Sequence, residues 1–132
     1  MKVSFDFDGT LFDEFDGVLN KQKEEIQKIA NNYLKDGHEV CIITKRYDYN
    51  NRNLGKKREY EEVMDLANNL GIKDVYFTNR EWKDTYIINL GINMHFENSE
   101  YEVKSIEESC TKNNHKCLVV PVEDPYWRDL VY

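Results

Sequence analysis

Lys2-Val3-Ser4-Phe5-Asp6-Phe7-Asp8-Gly9-Thr10-Leu11 opens the chain. β-branched and aromatic residues predict a strand over residues 2–7 that runs into two carboxylates and a glycine. Carboxylates two positions apart project to the same side of an extended segment, so Asp6 and Asp8 can face one reacting group. Burying both unpaired would cost several kcal/mol, and a divalent cation held between them would relieve that cost. Gly9 lets the backbone turn sharply and come close to a ligand, and the Thr10 hydroxyl can cap the turn.

Working outward, short apolar runs alternate with longer amphipathic stretches. Strands are predicted over residues 39–44, 74–78, 93–96 and 116–122. Ile26, Ile29, Ala30, Tyr33 and Leu34 form one helical stripe between an N-cap at Asn20 and a left-handed Gly37. Tyr60, Val63, Met64 and Ala67 mark a second helix stopped by Gly71, and residues 83–90 a third before Gly91. A fourth opens with the Ser99-x-x-Glu102 capping-box pattern and places Tyr101, Ser105, Ile106, Ser109 and Cys110 along a weaker stripe. This alternation predicts an α/β fold: a Rossmann-like, doubly wound, parallel five-stranded sheet with helices on both faces. Ligands of such sheets bind beyond the carboxyl ends of the strands, where the strand order reverses.

At 132 residues the chain has the size of one domain, and an aromatic content of 13% is too rich for a disordered segment. Three cysteines without CxxC spacing, one of them inside Val40-Cys41-Ile42-Ile43, point to reduced thiols and a cytoplasmic setting. No run approaches ~18 apolar residues, and Met1-Lys2-Val3-Ser4-Phe5-Asp6 acquires charge too early for a secretory signal, so no membrane partner is expected. The net charge of -7 argues against a wholly basic, nucleic-acid-coating surface. It hides an asymmetry, because residues 45–58 carry +5 and the remainder -12.

The run Asp6-Phe7-Asp8-Gly9-Thr10-Leu11 resembles motif I of the haloacid dehalogenase (HAD) superfamily of phosphotransferases. The resemblance implies the HAD fold, with Asp6 as the nucleophile that forms an aspartyl-phosphate and Asp8 as the acid/base. Thr44, closing Val40-Cys41-Ile42-Ile43-Thr44, resembles motif II, a hydroxyl that holds a phosphate oxygen, with Lys45 and Arg46 adding positive charge beside it. Lys83 fits motif III, the cation that pairs with nucleophile and phosphate, and Arg80 competes for the role. Glu97-Asn98 stands where motif IV supplies acidic metal ligands, commonly as Asp-Asp. Asn98 suits an oxygen ligand, whereas Glu97 can bind metal, bind it through water, or orient the nearby Lys. The implied metal is Mg²⁺, held by Asp6, Asp8, Glu97 and Asn98, and His95 is expected as a packed core residue. Gly9, Thr10, Lys45 and Arg46 are the expected substrate-binding residues.

Between motifs there is room only for a short acidic flap over residues 12–18 and single helices, so the resemblance is to a small capless member with an open site. The expected activity is a Mg²⁺-dependent phosphomonoesterase. Residues 45–58 hold Lys45, Arg46, Arg52, Lys56, Lys57 and Arg58 with Tyr47 and Tyr49 interleaved, which favours a nucleotide or nucleic-acid terminal phosphate as substrate. A small sugar phosphate and a phosphoprotein come next. Two rivals are a receiver-like signalling domain, which needs an Asp where the third strand ends in Thr78-Asn79, and a HAD-like binding protein without turnover. The aromatic tail, Pro125 and Tyr126 through Tyr132, is expected to dock on the core, with a homodimer contact as its alternative use.

Overall fold

In the computed structural model, residues 1–13, 20–49 and 56–132 are described. The predicted flap beyond Asp13, and Arg52 of the basic stretch, lie outside the described residues. Five strands, β1 (Lys2–Phe5), β2 (Glu39–Thr44), β3 (Asp74–Phe77), β4 (Met94–Glu97) and β5 (Leu118–Pro121), form one parallel sheet in the order β3-β2-β1-β4-β5. Helices α1 (Lys21–Lys35), α2 (Lys57–Leu70), α3 (Asp84–Leu90) and α4 (Glu100–Lys112) connect them. The chain steps from β1 outward to β3, then returns to the far side of β1 with β4. The order therefore reverses between β1 and β4, and the crevice at their carboxyl ends is the place such a sheet offers to a ligand. No inserted domain interrupts the alternation among the described residues.

The two faces carry separate cores. Val3, Phe5, Val40, Ile42, Met94, Phe96 and Val120 face α1 and α2, and the Phe5 and Phe96 rings stack at 4.5 Å. Cys41, Ile43 and Val119 face α3 and α4 through Ile87, Ile106 and Cys110. Burial pushes the Cys41 thiol up to about 12, which makes it an inert packing group.

Local signals place the ends of the elements. Asn20 accepts from the Lys23 N–H at 3.0 Å, and Gly71 and Gly91 end α2 and α3 in the left-handed region that a side chain disfavours. Three expectations shift. β1 ends at Phe5, because the Phe7 carbonyl accepts from the Thr10, Leu11 and Phe12 N–H groups and turns the chain two residues early. On α4 it is Glu102, Ile106 and Cys110 that are buried, while Tyr101 points to solvent, 78% exposed. Ile106 and Cys110 are buried as expected, and Glu102 takes the place of Tyr101 because it has polar partners inside. The capping box is half formed: Ser99 Oγ accepts from the Glu102 N–H, but the return bond to the Ser99 N–H comes from Glu97 at 3.2 Å.

The tail docks on the core, as its aromatic character predicts. Trp127, in a short 3₁₀ turn (Trp127–Leu130), is buried against the α1/α2 core, and Arg128 covers its ring while bonding Glu25 at 2.6 Å. Tyr126 and Tyr132 remain exposed. Trp127→Ala is expected to lower the unfolding free energy by about 3–5 kcal/mol in urea titrations. Tyr126→Ala should stay within about 0.5 kcal/mol of the parent protein.

Candidate active site

The reversal point of the sheet is occupied by charge. Asp6 leaves β1 and Glu97 ends β4, neighbours because the parallel register pairs Phe5 with Phe96 just before them. Both carboxylates are almost fully buried, and both share one ammonium: Lys83 Nζ lies 2.6 Å from Asp6 Oδ1 and 2.7 Å from Glu97 Oε1. Lys83 is the N-cap of α3 and 1% exposed, so its long side chain runs inside the protein. It is thus Lys83, not Arg80, that meets the first carboxylate.

One cation cannot balance two buried carboxylates equally. Burial, with Glu97 beside it, holds the Asp6 carboxyl well above the usual carboxylate range, although Lys83 opposes this. Burial also opposes ionisation of Glu97, but the Lys83 ammonium and the His95 N–H win there and hold it down to about 2. Lys83 is raised by its two carboxylates against the pull of burial. The network continues behind Glu97: His95 Nε2 lies 2.9 Å from Glu97 Oε1, and Ser4 Oγ lies 2.6 Å from His95 Nδ1. Burial lowers the His95 pKa, so the neutral ring donates from Nε2 to the carboxylate and accepts from Ser4 at Nδ1. His95 is buried as expected, but as a member of a polar chain rather than as apolar packing.

Asp8 has a partner of its own. Arg46 donates from Nε to Oδ2 at 2.8 Å and from Nη2 to Oδ1 at 2.7 Å, a bidentate clamp. The same guanidinium bonds the Glu62 carboxylate and the Glu59 carbonyl of α2 and stacks over Phe7. The two carboxylates that follow β1 therefore each meet a separate cation.

The remaining predicted residues surround this pair. Thr10 Oγ1 lies 3.4 Å from Asp6 Oδ2. Gly9, at φ +79°, passes so close to the Asn98 side chain that any Cβ would collide with it, and its carbonyl accepts from Lys23 Nζ at 2.8 Å. Thr44 is buried at the end of β2, where its hydroxyl accepts from the Arg46 N–H at 3.3 Å. Asp6, Asp8, Lys45, Lys83, Glu97 and Asn98 line one cleft of about 140 Å³, together with Arg80 and Glu102. Thr44 and Thr10 are not among its lining residues.

Glu102 was missed as a site residue because the capping pattern accounts for it. It is 1% exposed; one oxygen accepts from the Lys83 N–H at 3.2 Å and the other lies 3.2 Å from Lys45 Nζ, without the alignment of a hydrogen bond. The loop after β3 was also undervalued. Asn79 and Arg80 adopt φ of 54° and 70°, consecutive left-handed residues, a conformation that Asn tolerates and that costs an Arg roughly 1–2 kcal/mol. No family model, curated protein or solved structure matches the chain.

Among the described residues no three His, Cys, Asp or Glu side chains converge as a metal cage. Glu97 spends its oxygens on Lys83, His95 and the Ser99 N–H, and Asp8 both of its on Arg46. In this arrangement Glu97 meets Lys83 directly, at 2.7 Å. The cleft's side-chain oxygens with room for a divalent cation are those of Asp6, whose Oδ2 has only the 3.4 Å contact with Thr10, of Asn98, and of Glu102, whose Oε1 accepts no hydrogen bond. That set fits Mg²⁺, which commonly takes one or two protein oxygens and keeps waters and substrate phosphate for the rest. The excess negative charge of Asp6 and Glu97 over Lys83 favours a cation there.

Lys83→Met should lower stability at pH 7 by about 3–5 kcal/mol, since it leaves two buried carboxylates uncompensated. Both would then titrate above their unfolded values, so the folded state binds protons more tightly and the deficit must shrink as pH falls from 7 toward ~4. Urea unfolding of both proteins across that range measures it. A deficit that stays constant with pH would show that the ammonium acts through packing alone.

Proposed function

We propose that the chain is a Mg²⁺-dependent phosphomonoesterase of the HAD type, working through an aspartyl-phosphate on Asp6 and acting on the terminal phosphate of a nucleotide or nucleic acid. The observation that carries it is the buried contact of Lys83 Nζ with Asp6 Oδ1 at 2.6 Å, at the reversal point of the sheet and in the same cleft as Asp8 and Asn98. Lys83 opposes the effect of burial on Asp6 and favours the ionised carboxylate a nucleophile needs.

The Asp6 carboxylate attacks phosphorus while the ester oxygen leaves and takes a proton that Asp8, once released from Arg46, has drawn from solvent. Asp8 then withdraws a proton from the water that hydrolyses the acyl phosphate, which returns Asp6 and releases inorganic phosphate. Asp8 cannot donate while Arg46 grips both its oxygens. An arriving phosphate offers the same guanidinium a second bidentate partner, and the exchange frees Asp8 for proton transfer. Lys45 and Arg46 add positive charge for the substrate, and Asp6 and Asn98 would hold the metal. Neutralisation of the transferring phosphoryl group is what Mg²⁺ supplies when bound.

A second reading, a binding protein of the same fold without turnover, draws on the engaged Glu97 and the Arg46 clamp. Hydrolysis of an aryl phosphate separates the two. Activity should require Mg²⁺, disappear with chelator, and fall at least ~10³-fold in Asp6→Asn with the circular dichroism spectrum unchanged. A wild type inert toward the aryl ester, nucleotides and phosphorylated oligonucleotides would leave the binding protein as the reading.

A further inference from the structure

The rim of the cleft is built from two loops tied together beyond the ends of β2 and β3. The Arg80 N–H donates to the Lys45 carbonyl at 2.9 Å, the Asn79 N–H to the Arg46 carbonyl at 3.3 Å, and the Asp48 N–H to Asn79 Oδ1 at 2.9 Å. This pairing holds Asn79 and Arg80 in consecutive left-handed conformations. Asn tolerates that region; Arg gains nothing from it, and glycine would fit without strain. The strained residue nonetheless lines the cleft that contains Asp6. Its guanidinium has no acidic partner among the described residues and faces the Tyr47 ring at 5.7 Å. Beside it, Lys45 Nζ sits 4.6 Å from the centre of the Trp82 ring, and that ring is half exposed.

Cations interleaved with open aromatic faces are the means by which proteins hold single-stranded nucleic acid, phosphate to cation and base to ring. We infer that Arg80, Lys45 and Trp82 form a second subsite that binds the phosphodiester and base adjoining the scissile phosphate, so that the substrate is the phosphorylated end of a single strand. This rests on the phosphatase reading for the scissile group but not for the binding itself. A lone sugar phosphate has no group for Trp82 and no second phosphate for Arg80.

The test is binding of a fluorescent, terminally phosphorylated hexathymidylate to the full chain carrying Asp6→Asn, followed by anisotropy at several salt concentrations, with inorganic phosphate as competitor. Adding Arg80→Gly should weaken oligonucleotide binding at least about tenfold and reduce the slope of log K against log salt by about 0.7, one ion's worth for a single strand. The weakening should be much larger than any change for inorganic phosphate. The same substitution should leave the melting temperature at or above that of the parent, because the strain is removed. Trp82→Leu should weaken the oligonucleotide while leaving the salt slope in place.

Oligonucleotide affinity within twofold of the parent in Arg80→Gly would overturn the subsite. So would equal losses for oligonucleotide and inorganic phosphate, which would place Arg80 on the scissile group, and so would a lower melting temperature. Failure here is distinguishable from failure of the phosphatase reading. A protein that binds the oligonucleotide through Arg80 but hydrolyses no ester keeps the subsite and loses the enzyme. One that hydrolyses aryl phosphate without oligonucleotide affinity does the reverse.

Discussion

One ammonium shared by two buried carboxylates is the constraint around which the centre of this protein is arranged. Lys83 can reach Asp6 and Glu97 together only because β1 and β4 are adjacent and in the register that pairs Phe5 with Phe96. That register also sets Ser4 opposite His95, and their side chains bond at 2.6 Å. A slip of one residue would turn every one of these groups to the opposite face. The polar chain from Ser4 to Asp6 thus depends on the same strand pairing that stacks the Phe5 and Phe96 rings on the other face. Packing on one side and charge pairing on the other specify a single register.

The two first-strand carboxylates are kept apart by their cations. Asp6 is buried and bound to an ammonium, a point charge that leaves its second oxygen to the cleft. Asp8 is a quarter exposed and bound on both oxygens by a planar guanidinium. On the proposed phosphatase reading, a nucleophile held steady and a proton carrier released on substrate arrival would be different requirements, and the two kinds of cation match them. Gly9 follows Asp8, and its contact with the Asn98 side chain leaves no room for a Cβ between the ends of β1 and β4.

Much of the architecture was legible in the sequence because it is written in local patterns. Apolar stripes, Asn20, Gly71 and Gly91 mark the helices, and the alternation of element types implies the parallel sheet. Asp6, Asp8, Lys83, Glu97 and Asn98 were legible as one cluster through their resemblance to the HAD motifs, and they do line one cleft. What could not be read was pairing across long separations. Nothing local says that Arg46 meets Asp8, 38 residues away, or that Glu102 turns inward to Lys83 and Lys45 while Tyr101 faces water. A buried acid on a helix is stabilised by partners that only the tertiary fold brings to it, so helical periodicity found Ile106 and Cys110 but put Tyr101 where Glu102 turns in. The strain at Arg80 was invisible for the same reason, since its cause is the pairing of two loops.

The arrangement of charge also bears on which anions the cleft can accept. Lys83 and Lys45, which line the cleft, and Arg46, behind Asp8 and not among the lining residues, each already meet a carboxylate, so an entering anion must exchange with an existing partner. For Arg46 that exchange is even-handed only for a planar or tetrahedral oxyanion able to meet both donors at once, and a phosphate dianion outbids a carboxylate monoanion in charge. Arg80 at the rim faces no such competition among the described residues. On the proposed reading, an approaching polyanion would meet the cation without an acidic partner and Lys45 beside Glu102, both in the cleft lining, before the clamped Arg46. The net charge of -7 opposes the approach from a distance, but over the ~8–10 Å that screening allows, the local cations decide.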